Sequence, residues 1–201
     1  MLMVPTTIAI ARPQLLVKKP QPAQTVPPIV IELPVDLGDL RITPVSVEQL
    51  GSTVIPIRIL SQSGGRLRVW GLGNDARGRI IELALGANLP RNFEVIDRFE
   101  RETGLIRSIK SKDLRLKTYE NKQTVQREVK KDIDKVAEFS GTTYTIRTTG
   151  ERIVIRREHI RIREVVLAIP SDTPEQRVLW LEELMEYANE KGVRFIIQKI
   201  E

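Results

Sequence analysis

The chain has 201 residues and a net charge of +6, from 32 lysines and arginines against 26 aspartates and glutamates. It has no cysteine and one histidine, His159, which excludes disulfide frameworks, thiolate metal sites, zinc sites built on histidine pairs, and Ser-His-Asp triads. No apolar run is long enough to cross a bilayer, so we expect no membrane span.

The first part of the chain differs in composition from the rest. Nine of the 12 prolines lie in the first 56 residues, where they alternate with short aliphatic runs. Such a pattern favours extended or polyproline backbone over helix. We predict a proline-rich tether or small β segment over residues 1–70, with short strands at Val54–Leu60 and Leu67–Trp70. Residues 71–201 form the predicted main domain.

A helix is predicted at the start of that domain. Asn74 or Asp75 is a suitable N-cap, and the helix should run to about residue 88, before Pro90. Gly78 and Gly86 then lie one turn before and one turn after Glu82, on the same face. Two explanations remain open: the glycines keep a face clear for something to approach Glu82, or they permit tight helix packing.

A β-hairpin is predicted next, from Phe93–Phe99 and Leu105–Ser111. In the first strand Asp97 falls on the apolar face, where a lone carboxylate needs a cation or hydrogen bonds. The alternative is a strand-end aspartate exposed to water. A four-residue loop pairs Asp97 with Ser108 and brings Lys110 within a diagonal step, whereas a five-residue loop pairs Asp97 with Arg107.

The remaining pattern completes an α/β fold. Its predicted elements are a helix over Asn121–Phe139, strands over Thr142–Thr148 and Arg152–Ile169, a helix from a capping box at Thr173 to Gly192, and a final strand over Val193–Lys199. The second of these strands carries arginines that could follow a phosphate backbone. We expect a solvated surface for the basic flank of the Asn121–Phe139 helix.

The residue types of the central stretch point to phosphodiester chemistry. Acidic oxygens with a lysine, but without histidine or cysteine, suit a hard cation such as Mg²⁺ or Mn²⁺. Such an ion can activate water, while a lysine beside it stabilises charge on the phosphoryl group. On spacing alone this pattern occurs by chance in many proteins.

A resemblance to a known family makes this functional interpretation more specific. The residues that carry it are Gly71–Glu82 (GLGNDARGRIIE), Leu89–Asp97 (LPRNFEVID), Ser108–Leu114 (SIKSKDL) and Tyr119. They resemble the C-terminal nuclease domains of contact-dependent growth inhibition (CDI) and related polymorphic bacterial toxins, in the PD-(D/E)xK, restriction-endonuclease-like superfamily. The resemblance implies a mixed β-sheet flanked by helices.

The resemblance also implies residue roles. Glu82 is the helix-borne acid, Asp97 the principal metal ligand and Lys110 the catalytic lysine, with Glu82 and Asp97 holding Mg²⁺ or Mn²⁺. Ser108 occupies the place where the superfamily usually has a second acid, and Glu100, Glu102 and Asp113 are possible substitutes. The candidate nucleic-acid contacts are Arg79, Lys112, Arg156, Arg161 and Arg163.

The implied function is a metal-dependent endonuclease toxin that cleaves RNA, such as tRNA, or DNA. It would act in the cytoplasm of a target cell, and an immunity protein would be its partner in the producing cell. The alternative is a non-catalytic nucleic-acid-binding or assembly protein that uses the arginines of residues 152–163 and the proline-rich arm.

Overall fold

The computed structural model describes residues 29–32, 57–60 and 67–201. Most of the predicted proline-rich segment lies outside these residues. The described strands are β1 (Ile29–Glu32), β2 (Ile57–Leu60), β3 (Arg98–Glu100), β4 (Leu105–Ser111), β5 (Gly141–Thr145), β6 (Arg152–Arg156), β7 (Ile162–Pro170) and β8 (Arg194–Ile200). The α-helices are α1 (Asn74–Ala84), α2 (Lys122–Glu138), α3 (Glu175–Glu182) and α4 (Leu184–Glu190).

Six strands form one mixed sheet in the order β1-β2-β8-β7-β4-β3. All neighbours are parallel except β3 and β4, which form an antiparallel hairpin. Strands β5 and β6 pair separately as a two-stranded sheet. This arrangement agrees with the predicted α/β class, a mixed sheet flanked by helices.

The sheet is covered on both faces because its central strands are apolar on both sides. One core cluster joins the buried stripe of α2, including Val129 and Ile133, to strand residues such as Ile106 and Leu167. The second joins Ile81 of α1 to Ile109 and to Ile59 of β2. Strand β4 therefore lies between the two helical layers and contributes side chains to both.

The hairpin has the predicted four-residue loop. Glu100 pairs with Leu105, and Arg98 pairs with Arg107, which confirms the predicted loop length and the register of β3. Gly104 closes the loop with a φ of 70°, which glycine adopts without steric penalty. The paired residues end at Arg98, and the Asp97 amide donates to Arg107 O, so the predicted pairing of Asp97 with Ser108 is not part of the ladder.

Two predictions around this hairpin are wrong. Helix α1 begins after Gly73, not after an Asn74 or Asp75 cap, and ends at Ala84, so Gly86 lies beyond it with a φ of 86°. The first strand starts only at Arg98, because Val95 has a φ of 68° and interrupts the extended backbone. The predicted shared face of Phe93, Val95 and Asp97 therefore does not exist.

The long strand predicted over residues 152–169 is two strands in two different sheets. Strand β6 ends at Arg156, a short 3₁₀ helix covers Arg157–His159, and β7 begins at Ile162. The break sends the polypeptide from the small sheet into the main one. The arginines of this stretch therefore do not form one continuous row.

The predicted C-terminal helix is also divided, between α3 and α4 at Glu183. Its predicted capping box is absent, because the buried Thr173 donates its hydroxyl to Pro170 O instead. Leu181 and Leu184 are buried, whereas Met185 is 45% exposed.

Three further element predictions can be compared with the structure. Leu67–Trp70 is not a strand, since Val69–Gly71 is a short 3₁₀ helix. Helix α2 and strand β8 lie within one residue or so of their predicted bounds. In the described part of the chain, no helix combines the length and apolar character that a bilayer crossing requires.

Candidate active site

Asp97 lies where the β3–β4 ladder gives way to irregular backbone. Its amide donates to Arg107 O at 2.8 Å, while its Oδ2 accepts the Ile109 amide at 2.6 Å. The carboxylate thus takes the place of a strand carbonyl as acceptor for β4. Among the described residues nothing donates to Oδ1, which leaves that oxygen for a ligand.

Lys110 and Ser108 share one face of β4, as alternate residues of a strand do. The Lys110 ammonium is 3.6 Å from Asp97 Oδ2 and about one-third exposed. Ser108 is buried, with 1% exposure. The structure therefore brings Asp97 and Lys110 together, and Ser108 is buried two residues before Lys110 on the same strand.

Glu82 reaches this region from the last turns of α1. Burial raises the pKa of the Glu82 carboxyl, the charge of Asp97 raises it further, and Lys110 and Arg79 oppose the shift. The influence of Asp97 and Lys110 means that all three charges lie close enough to interact. Arg79 lies one turn before Glu82, with 3.7 Å between its guanidinium and the carboxylate.

The surroundings of Gly78 bear on the two explanations for its position. Among the described residues, a Cβ built there would meet one atom within 4 Å, Glu82 Oε1 at 4.0 Å. The part of the chain that the structure describes therefore provides no tight helix packing at this position. Within it, the missing side chain leaves space beside the Glu82 carboxylate.

A buried ion-pair network supports the strand that carries Ser108 and Lys110. Arg107 and Glu164 are 5% and 2% exposed, and Arg107 Nε and Nη2 lie 2.8 Å and 2.7 Å from Glu164 Oε2. Arg194 binds the other oxygen of Glu164. This network joins β4, β7 and β8, and breaking such a buried pair is strongly destabilising.

The donor set fits a hard divalent cation as a two-carboxylate site. Glu82 and Asp97 supply charged oxygens, and water or phosphate oxygens can complete the six ligands that Mg²⁺ prefers. Within residues 29–32, 57–60 and 67–201, no group of three or more acidic or histidine side chains is placed to hold a metal. The predicted substitutes Glu100 and Asp113 are instead paired with Arg98 and Arg115.

Residues 77–198 match the family described as the CDI toxin restriction endonuclease-like domain. The chain belongs to this family. The match spans more than half of the chain and confirms the restriction-endonuclease-like fold.

Two curated relatives of this CDI toxin domain are named as deoxyribonucleases. Deoxyribonuclease CdiA of Yersinia pseudotuberculosis serotype O:3 (strain YPIII) is 29% identical over 138 residues, 65% of this chain and 12% of the relative. Deoxyribonuclease CdiA-o11 of Escherichia coli O157:H7 (strain EC869) is 28% identical over 138 residues, 65% of this chain and 35% of the relative. The chain thus spans about an eighth and about a third of their lengths.

A solved structure is also similar to the CDI toxin domain. The CdiA-CT/CdiI toxin and immunity complex from Yersinia pseudotuberculosis is 28% identical, with a TM-score of 0.48. The similarity covers 58% of this chain and 90% of that one.

The five candidate nucleic-acid contacts of the CDI toxin domain are spread over the molecule. Arg79 lies beside Glu82. Lys112 is the first residue after β4, and its Nζ lies 3.3 Å from Asp132 Oδ2 of α2. Arg161 precedes β7, and its amide donates to Gly104 O, which is roughly 20 Å along the strand from Lys110 at about 3.3 Å per residue.

The other two arginines are further from the catalytic strand or have structural partners. Arg156 is exposed at the end of β6, in the small sheet. Arg163 donates to the Val136 and Phe139 carbonyls at 2.8 Å each, at the C-terminal end of α2. Burial, with the nearby charge of Arg157, lowers the pKa of the Arg163 guanidinium. A positive charge at this position stabilises the helix, because the C-terminal end of a helix carries partial negative charge.

Sequence reasoning missed three residues whose hydrogen bonds and ion pairs surround the candidate site. Arg107 is a charged residue inside an apolar strand, and Glu164 occupies a similar position in β7, so their opposite charges offered a signal. Asn88 bonds through its side chain to the backbone of Phe99. Nothing in the local sequence distinguishes that asparagine from an ordinary loop residue.

Proposed function

We propose that this CDI toxin domain is a divalent-metal-dependent endonuclease that cleaves DNA. The single observation that carries the proposal is the meeting of Asp97 and Lys110 at the β3–β4 junction, with Glu82 of α1 close enough for both charges to influence the pKa of its carboxyl. Membership of the CDI toxin restriction endonuclease-like family supports nuclease chemistry. The names of the two curated relatives favour DNA as the substrate.

In this proposal Glu82 and Asp97 hold one Mg²⁺ or Mn²⁺ ion. When bound, such an ion polarises a phosphoryl oxygen and favours ionisation of water. Asp97 is preorganised because its Oδ2 is fixed by the Ile109 amide while its Oδ1 remains available. The open space at Gly78 gives a phosphate access to Glu82.

Lys110 stabilises the negative charge that develops on the phosphoryl oxygens as water attacks phosphorus and the sugar oxygen leaves. Because position 108 is a serine and not an acid, the proposed site has one negative charge fewer beside Lys110. Two carboxylates and one divalent cation are together neutral, so the positive charge of Lys110 is left for the substrate. A third carboxylate would oppose the approach of the phosphate.

Arg79 and Lys112 are the basic residues that we propose as contacts to the DNA backbone near the cleaved bond. Arg79 is about one-third exposed beside Glu82, and Lys112 directly follows β4, two residues after Lys110. Arg156, Arg161 and Arg163 are not included, because the structure gives them positions or partners away from the catalytic strand.

The test is cleavage of supercoiled plasmid with Mg²⁺ or Mn²⁺ by the wild type and by Lys110→Ala. We expect the wild type to cut and the variant to lose about 10²–10³ in rate, as removal of one charge-stabilising group does. Lys131→Ala, an exposed lysine of α2, is the matched control and should cut like the wild type. A wild type that binds plasmid and never cleaves it with either metal would refute the proposal.

Substrate choice is tested in the same assay with total tRNA in place of plasmid. We expect DNA to be cut faster. The sequence-based prediction of tRNA as one possible substrate stays a prediction, and preferential tRNA cleavage would replace the DNA assignment without affecting the catalytic residues.

An immunity protein in the producing cell is a further part of the proposal. A nuclease that acts on nucleic acid would damage its own producer, and the similar Yersinia toxin is described in complex with an immunity protein. We propose that this domain acts in the cytoplasm of a target cell after delivery as part of a longer toxin.

A further inference from the structure

We propose that Asn88 is a positioning residue that sets the distance between the two acidic groups of the site. The inference rests on the proposed nuclease function. Glu82 and Asp97 come from different elements, and residues 85–97 between them contain neither a helix nor a strand. Something other than secondary structure must therefore hold the two carboxylates at a fixed separation.

Backbone hydrogen bonds first attach the turn after α1 to both acidic residues. The Ala87 amide donates to Glu82 O at 2.9 Å. The next two amides, of Asn88 and Leu89, both donate to Asp97 O, at 3.0 Å and 3.1 Å. One short turn is thus bonded to the main chain of both proposed metal ligands.

The Asn88 side chain adds a two-point attachment to the residue two positions after Asp97. Its Nδ2 donates to Phe99 O, and its Oδ1 accepts from Phe99 N, both at 2.9 Å. An amide side chain that both donates and accepts in this way imitates a neighbouring strand. It extends the sheet past β3, which is the edge strand among the described residues.

These contacts hold Asp97 from the side opposite β4. On one side its amide donates to Arg107 O and its carboxylate accepts from Ile109 N. On the other side its carbonyl is held by the Asn88 turn. This support is needed because Val95, two residues earlier, has a φ of 68°, a conformation that β-branched residues adopt rarely.

A second contact supports the same turn. Arg98 donates from Nη1 to Gly86 O at 3.0 Å and also pairs with Glu100. Arg98 thus holds the start of the turn while Asn88 holds its end. Asn88 is nevertheless the one whose side chain bonds only to the main chain of the strand that follows Asp97.

The position of Asn88 allows a clean test, because the residue is exposed and water can replace its lost hydrogen bonds. Asn88→Ala removes both side-chain bonds. Asn88→Asp keeps the acceptor for the Phe99 amide and removes the donor, so it serves if the alanine variant does not fold. Asn92→Ala is the control, since Asn92 is exposed in the same loop and makes no hydrogen bond to the described residues.

The first measurement is amide hydrogen exchange, which does not depend on activity. In Asn88→Ala we expect the Ile109 amide, bonded to the Asp97 carboxylate, to exchange about tenfold faster. The Lys112 amide, which donates to Ala168 O in β7, should be unchanged and so reports on general loss of stability. Equal protection of Ile109 in variant and wild type would overturn the inference even if no cleavage is ever observed.

The second measurement separates positioning from binding. We expect Asn88→Ala to lower kcat for DNA cleavage by about 10-fold to 100-fold, because small misplacements of reacting groups have effects of that size. KM for DNA should stay within about twofold, since no substrate contact is removed. Unchanged kcat, or a rise in KM alone, would contradict the positioning role; loss of cleavage by the wild type would instead refute the proposed function.

Discussion

At the scale of single residues, we predict that Gly78→Ala has opposite effects on stability and on cleavage. Alanine in a helix interior is about 1 kcal/mol more favourable than glycine, so Gly78→Ala should raise the free energy of unfolding measured with urea. The added methyl group would lie 4.0 Å from Glu82 Oε1 and occupy the space proposed for the phosphate. Cleavage should therefore fall while stability rises, and a variant with unchanged kcat and KM would show that the space is not used.

Because the pKa of the Glu82 carboxyl is raised, we predict that the stability of the fold depends on pH. Because burial and then Asp97 raise the pKa of its carboxyl in the folded chain, the folded state binds this proton more tightly than the unfolded state. The stabilising contribution is complete below the unfolded pKa and is lost as pH rises through the folded pKa.

Glu82→Gln resembles the protonated side chain at every pH. With EDTA present, the variant should match the wild type near pH 4 and exceed it in free energy of unfolding by about pH 8. Glu94→Gln, which removes an exposed carboxylate from the following segment, is the control. A Glu82→Gln variant that is less stable than the wild type at neutral pH would contradict the stated direction of the pKa shift.

At the scale of elements, the β3–β4 hairpin depends on the glycine that ends its loop. A Cβ at Gly104 would lie 2.7 Å from His159 O and 2.8 Å from Arg161 Cγ, with φ at 70°. Gly150 has nearly the same φ, 71°, but a Cβ there meets nothing within 4 Å. The two positions form a matched pair that separates steric overlap from backbone conformation.

Gly150→Ala should lower the free energy of unfolding by about 1 kcal/mol, the conformational penalty of a left-handed alanine. Gly104→Ala should lower it by about 2–4 kcal/mol, because the neighbouring backbone must also shift. Urea unfolding of both variants measures the difference. Equal losses would mean that the loop yields to the methyl group, and the register of Asp97 would then not depend on Gly104.

The same hairpin shows what sequence could predict about the site. Loop length and a glycine at its exit suffice to set register, because side chains alternate with a strict period of two. The conformation of Val95 was not predictable in this way, since a β-branched residue with positive φ opposes its own local preference. The Asn88 amide donates to Asp97 O, and the Arg107 carbonyl accepts from Asp97 N. These nonlocal hydrogen bonds hold that segment, and a local sequence pattern contains no information about them.

The break between β6 and β7 at residues 157–161 was also not predictable from the sequence pattern. Isoleucines and arginines recur on both sides of the break, so the sequence pattern favours one strand with one row of arginines. The structure separates them between two sheets, and Arg163 bonds to the end of α2. The alternative function as a non-catalytic binder therefore loses the arginine row on which it depended.

At the scale of the whole molecule, residues ahead of the family match pack with the nuclease sheet. Strand β2 lies beside β8, and its Ile57 and Ile59 are 2% and 0% exposed against the α1 side of the sheet. The predicted domain boundary near Gly71 stays a prediction, but this packing means that the described sheet does not end there.

Ile59→Ala should lower the free energy of unfolding by about 2–4 kcal/mol, the usual range for truncating a buried aliphatic side chain. Leu179→Ala, at a position 46% exposed, should change it by less than about 1 kcal/mol. Urea unfolding measures both. Equal and small effects would show that β2 contributes little to the stability of the sheet.

The central claim is that Asp97, fixed by the Ile109 amide and close to Lys110, organises a nuclease site. The most direct measurement is the initial rate of plasmid cleavage by Asp97→Asn at saturating DNA with Mg²⁺ or Mn²⁺. Asparagine keeps the shape of the side chain and removes its charge, so we predict a loss of at least about 10²-fold in kcat with DNA binding retained. Cleavage at the wild-type rate by a correctly folded Asp97→Asn variant would contradict the account.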